Sequence, residues 1–208
     1  MPQRPPPPRP DRRAAAGVLA AGLLLGPAWP AARAAAVSFG LAELTTLLAR
    51  RTSGEARFTE SRSVRLLDQT LVSNGRLSYR APDTFVRETL KPWPERLAVT
   101  GNVLTLTRGE RSRTMQLDAS PEAAVIVEAI RGTLSGNRAS LERLFEATVS
   151  GDAGHWTLDL VPRDLRLRGQ VASVRVSGSG SAVAQVQVQL ADGDRSVMTI
   201  EPAGSAPR

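Results

Sequence analysis

From position 41 the apolar residues recur first at helical and then at alternating spacing. Leu41, Leu44, Leu47 and Leu48 share one face of a helix, with Glu43 near its start and Arg50 and Arg51 at its end, the polarity a helix dipole favours. Ser53-Gly54 predicts its close. From Glu55 the period becomes two. Ala56 and Phe58, then Leu71, Ser73, Gly75, Leu77 and Tyr79, fall on one face, while Arg57, Arg76 and Arg80 fall on the other. The pattern predicts long antiparallel strands with one wet face.

Pro82-Asp83 predicts a turn, Phe85 to Thr89 another strand, and Lys91-Pro92-Trp93-Pro94 a second break. Leu97 and Val99, Leu104 and Leu106, and Met115 and Leu117 then alternate between the Gly101-Asn102 and Gly109-Glu110 turns, as in a meander of hairpins. Ser120-Pro121-Glu122 has the form of an N-cap with proline in the first turn. It predicts a helix with Val125, Ile126, Ala129 and Ile130 on its apolar face, ending by Gly132. A second short helix follows Ser135-Gly136-Asn137 and carries Leu141, Leu144 and Phe145. Strands resume at Ala147 to Ser150, at Trp156 with Leu158 and Leu160, at Ala172 with Val174 and Val176, at Val186 with Val188 and Leu190, and at Met198 with Ile200. The expected content is ten or eleven strands and three helices. So many short antiparallel strands favour a sheet curled around a shared interior, because curling relieves the edge problem, with the central helices packed across one face.

The segment before position 37 obeys neither period. Arg4, Arg9, Arg12 and Arg13 precede an apolar run from Ala14 to Gly26, and small residues end at Ala34-Ala35-Ala36. The order is that of a secretory signal peptide, and the run is too short for a spanning helix of about 20 residues. Residues 1–36 are expected to be removed, leaving 172 residues, 37–208, as one domain. Arg12-Arg13 is a poor twin-arginine signal, so general secretion is expected. The leader's five arginines and one aspartate supply +4 of the formal +7; the remainder has 22 basic and 19 acidic residues. The basic character of the whole chain therefore overstates any attraction to nucleic acid.

There is no cysteine, which excludes disulfides, thiol chemistry and a lipid-modified N-terminal cysteine. The mature chain is accordingly expected to be unanchored in the periplasm. His155 is the only histidine, beside the Asp152-Ala153-Gly154 turn, and the acids are scattered. No phosphate-binding loop, serine elbow or paired-carboxylate motif is present, so no catalytic residue, metal or cofactor is expected. Arg62, Arg65, Arg76, Arg80 and Arg87 are expected to keep the outer face of the sheet wet. What remains is shape: a curved sheet under apolar helices can enclose a greasy cavity, where each buried methylene of an acyl chain is worth about 0.8 kcal/mol.

Phe58-Thr59-Glu60, Gly75-Arg76-Leu77-Ser78-Tyr79-Arg80-Ala81-Pro82, Phe85, Arg87, Pro92 and the Gly101-Asn102 turn, followed by paired helices and strands through Asp192-Gly193-Asp194 and Ile200, resemble the outer-membrane lipoprotein carrier family LolA. The resemblance covers the mature chain. It implies an incomplete antiparallel β-barrel covered by short helices, and a monomeric, non-enzymatic carrier of an acylated lipoprotein or lipid-like cargo. An inner-membrane exporter and an outer-membrane acceptor are its implied partners, with no nucleic acid. Strand and helix positions then imply an acyl-binding set of Phe58, Leu77, Tyr79, Phe85, Leu97, Leu106, Val125, Ile126, Ile130, Trp156 and Leu158.

Two features depart from the family's pattern. Ala81 stands where carriers commonly have an arginine that bonds to the lid, and Arg80, one residue away, points to the opposite face. The C-terminus after Glu201-Pro202 is also short. Both features are similar to shorter LolA-related proteins whose cargo need not be a lipoprotein. A periplasmic lipid-sensing or regulatory interaction domain is the alternative, although such sensors usually append a second domain.

Overall fold

A computed structural model of the chain describes residues 39–65 and 69–203; the expected signal peptide lies outside the described residues. The elements are α1 (Leu41–Leu48), β1 (Ser53–Ser63), β2 (Thr70–Arg80), β3 (Thr84–Lys91), β4 (Glu95–Thr100), β5 (Val103–Arg108) and β6 (Arg111–Gln116). A 3-10 turn at Leu117–Ala119 leads to α2 (Pro121–Ser135) and α3 (Arg138–Leu144). The chain closes with β7 (Phe145–Gly151), β8 (Trp156–Pro162), α4 (Leu165–Arg168), β9 (Val171–Ser179), β10 (Ala182–Leu190) and β11 (Arg195–Pro202).

All eleven strands form one antiparallel sheet in the order β6-β5-β4-β3-β2-β1-β11-β10-β9-β8-β7. The first strand is therefore central: Phe58 pairs with Gly75 of β2 on one side and Ile200 of β11 on the other. Edge strands β6 and β7 do not pair with each other, so the sheet is an unclosed barrel. The connection between them, with α2 and α3, is the helical covering that the patterning predicts.

Four local expectations are corrected. Ser53-Gly54 opens β1 instead of closing α1, because Gly54 already pairs with Tyr79. Leu117 leaves the strand for the 3-10 turn, where it is buried. Helix α2 runs past Gly132 to Ser135: a Cβ at Gly132 would lie 2.7 Å from Leu141, so this glycine admits α3 and does not stop the helix. Helix α4, with Asp164 capping the Arg166 amide, is a fourth helix too short to show a period.

The two flanks of the sheet share one packing device. Trp156 lies opposite Gly178, where a Cβ would stand 2.6 Å from the indole, and its Nε1 donates to Gly180 O at 2.9 Å. Phe58 lies opposite Gly75, where a Cβ would stand 2.8 Å from the ring. In each case an aromatic ring covers a strand glycine and takes the volume its side chain leaves empty.

The larger core cluster joins Leu44 and Leu48 of α1, Val125 and Ala129 of α2 and Leu141 of α3 to the inner positions of β8, β9 and β10. Period-two alternation puts Trp156, Leu158 and Leu160 on that inner face. Across the sheet, a second cluster contains only Val99, Leu104 and Leu117 as buried members. The two clusters do not merge.

Candidate binding cavity

Between them lies a cavity of about 390 Å3. Its sheet walls come from inner positions on both flanks: Ala56, Leu77, Tyr79, Phe85, Leu97 and Leu104 on β1 to β5, and Val186, Val188, Met198 and Ile200 on β10 and β11. Helix α2 supplies the cover through Ala123, Ile126, Val127, Ile130 and Leu134, a stripe at spacings of three and four. A volume of this size falls within the range of small-ligand sites.

The same helix carries a second apolar stripe. Val125, Ala129 and Gly132 are buried on a stripe about 150° around the axis from the cavity stripe, Val125 and Ala129 within the larger core. One helix thus packs and lines at once, and adjacent residues such as Val125 and Ile126 have different surroundings. Helix α2 is tied to the sheet through Arg131, whose Nη2 donates to Gly101 O at 2.5 Å. Ala81, where the family's arginine is expected, donates only its backbone N–H, to Thr52 O at 2.7 Å.

Of the eleven residues expected to touch an acyl chain, Leu77, Tyr79, Phe85, Leu97, Ile126 and Ile130 converge on the cavity wall. The other five are not part of it. Val125, Trp156 and Leu158 are buried in the larger core, Phe58 is sealed under Arg87, and Leu106 sits on β5 opposite Leu97 without reaching the lining. Alternation fixed the face of each strand residue but not whether that face is filled by a neighbour or left open.

Arg51 and Glu55 line the cavity toward the start of β1, and its end toward the close of β1 is polar as well. Arg87, expected on the wet outer face, points inward: its guanidinium lies 4.9 Å above the Phe58 ring, and its Nη2 meets Glu60 Oε2 at 2.5 Å. The correction follows from register, since Arg87 pairs with inward-facing Leu77. Arg62 is likewise inward, 3.7 Å from Asp194, whose Oδ1 also accepts the Arg65 amide at 2.9 Å. Arg76 and Arg80 do face solvent. The in-register parity of Glu60, Arg62 and Arg87 with the apolar inner residues was the signal that could have identified this group.

The Tyr79 hydroxyl is sealed from solvent and has no hydrogen-bond partner among the described residues. Burial pushes its pKa up, and the negative charge of Asp83 adds to the effect. His155 is exposed near a turn in which Asp152 accepts its backbone N–H, far in sequence from the cavity lining. Among the described residues no group of three or more histidine, cysteine or acidic side chains could hold a metal ion, and no helix is long and apolar enough to cross a membrane.

Residues 31–206 match the family model described as outer membrane lipoprotein carrier protein LolA-like. The chain belongs to this LolA-like family. No curated protein matches it. Among solved structures, a LolA superfamily protein from Nitrosomonas europaea is 10% identical, with 80% of this chain and 93% of that chain covered at a TM-score of 0.46. A DUF1329 family protein from Desulfovibrio piger is 8% identical, with 80% and 92% covered at 0.45. The MucA/MucB complex of Pseudomonas aeruginosa contains a chain 10% identical, with 81% and 58% covered at 0.42. Likenesses this loose carry no functional argument. LolA-like membership rests on the family match, and the unclosed antiparallel sheet under short helices is the architecture expected of it.

Proposed function

We propose that this LolA-like protein is a periplasmic carrier that shields the acyl chains of a lipoprotein, or another lipid-like cargo, while moving it from the inner toward the outer membrane. The observation that carries the reading is the apolar cavity between α2 and the sheet, walled by residues from both flanks. Its middle offers aliphatic and aromatic surface with no titratable cluster, which suits a hydrocarbon chain and no chemical step. The signal peptide and absence of cysteine favour a freely diffusing carrier released into the periplasm. Ala81, where classical carriers commonly have an arginine, favours a LolA-related member over a lipoprotein-dedicated one.

The acyl-contacting set is proposed as Leu77, Tyr79, Phe85, Leu97, Ile126 and Ile130. A fluorescent fatty acid titrated into the purified protein tests it. Leu77→Glu should weaken binding about tenfold or more, because a carboxylate placed in an apolar cavity is costly. Arg76→Glu, on the outer face, should leave binding unchanged. Equal losses from the two variants, or no uptake by the parent protein, would sink the reading.

A further inference from the structure

Five of the six exposed large hydrophobic residues among the described residues stand at one end of the sheet. Leu71 and Val72 open β2, opposite Arg62 and Ser61 of β1. Leu90 ends β3 beside its turn, Trp93 lies in that turn, and Leu165 begins α4 between β8 and β9. The registers bring these turns to a common end: Ser63 pairs with both Thr70 and Arg195, and Leu190 at the end of β10 pairs with Val171 at the start of β9. Val103 alone lies at the opposite end, next to the Gly101-Asn102 turn.

Single exposed apolar residues are ordinary, but five of them share this one rim. Trp93 is 80% exposed and Leu165 78%, each on a different connection. Arg62, Arg65, Lys91, Arg166 and Arg195 lie on the same connections and strand ends as Asp164, Asp192 and Asp194; Arg62 stands 3.7 Å from Asp194 and Arg166 3.7 Å from Asp164, while Arg65, Lys91 and Arg195 form no ion pair among the described residues. Indole and leucine side chains beside long cationic ones suit the head-group region of an anionic bilayer, where the rings enter and the cations reach phosphates. Residues spread over separate turns can all meet a yielding plane, whereas a rigid protein partner would usually bury one contiguous patch. The polar end of the cavity, with Arg62, Asp194 and Arg195, belongs to this same end.

We propose that this rim docks on the surface of an anionic lipid bilayer, with Trp93 and Leu165 entering the head-group region and the polar end of the cavity turned to the membrane. The inference concerns the rim and stands whether or not the cavity accepts a lipid.

The test uses exported protein recovered from its host with the leader removed. Trp93 and Trp156 are then the only tryptophans, and buried Trp156 serves as an internal reference. Vesicles of phosphatidylglycerol with phosphatidylethanolamine should shift Trp93 emission to the blue and shield it from acrylamide. Phosphatidylcholine vesicles should do so weakly, and about 0.5 M salt should release the anionic vesicles. Trp93→Ser combined with Leu165→Ser should reduce partition about tenfold or more, while uptake of a fluorescent fatty acid persists. Unshifted Trp93 emission, or a double variant that partitions like the parent, overturns the proposal. Shielding by detergent-extracted host membrane proteins but not by vesicles assigns the rim to a protein partner and overturns it equally.

Discussion

The two walls facing the cavity are built from the same alternating strands but are finished differently. On the β8–β10 side, α1, α2 and α3 close down on the inner face until Leu158, Leu160, Val171 and Val174 are fully buried. On the β2–β5 side only Val99, Leu104 and Leu117 form a buried cluster, while Tyr79, Phe85 and Leu97 remain partly exposed toward the cavity. The first wall has spent its apolar surface on stability. The second leaves some of it open to the cavity, and the contrast is made by which flank the helices cover, not by hydrophobicity alone.

Truncating one leucine on each wall should give the largest difference between them. Leu158→Ala should cost about 2–5 kcal/mol, because it opens a void in a packed core. Leu97→Ala should cost about 1 kcal/mol, since its side chain already borders open space. Chemical denaturation of both variants decides it, and equal costs would mean that the second wall is as tightly packed as the first.

Helix α2 permits the same contrast within one element. Val125→Trp should overpack the core and destabilise the fold by about 1–3 kcal/mol. Ile130→Trp should instead occupy the cavity, leaving stability near that of the parent while reducing fatty-acid affinity about tenfold. Thermal melts and binding titrations on both variants would dissolve the two-stripe reading if their effects were exchanged.

Tyr79 sharpens the picture at smaller scale. Its hydroxyl is buried without a partner, so Tyr79→Phe should be neutral or stabilising by up to about 1 kcal/mol. Its raised pKa means the neutral phenol is favoured in the folded state. Stability is therefore full below the ordinary tyrosine value of 10.0 and falls as pH rises toward the folded value; the Phe variant should lack that alkaline loss. A Tyr79→Phe variant clearly less stable at neutral pH would show that the hydroxyl is satisfied.

The smallest effect belongs to the β7–β8 turn on the packed side. Asp152 accepts the backbone N–H groups of His155 at 3.0 Å and Gly154 at 2.7 Å, and these bonds hold its carboxyl below the usual range. That contribution is present above the ordinary carboxylate pKa and is lost as pH falls through the lowered one. Melting points measured from about pH 5 to about pH 2 should converge for the parent and Asp152→Ala. A gap that stays constant would exclude ionisation as its source.

Much of the fold was legible because its information is periodic. The leucines of α1, the alternation of Leu77 and Tyr79 against Arg76 and Arg80, and the Gly101-Asn102 turn each specify a local geometry. What stayed hidden depends on tertiary partners. Gly132 reads as a helix stop until Leu141 is seen against it, and Leu165-Arg166-Leu167-Arg168 is too short for a helical period. The candidate site was legible by face and not by filling: Phe58 and Trp156 have the same inward parity as Leu77 and Phe85, but the first two are roofed over. Arg87 misled because charge usually marks the wet face, and here Glu60 and an aromatic ring shelter an inward cation.

In a closed barrel, strand number and shear fix the girth, and widening it means tearing a ladder of hydrogen bonds. This sheet has a seam between β6 and β7 that only the helical connection spans. Its bore is thus not set by strand number and shear: the sheet's curvature can change while every strand keeps its neighbours.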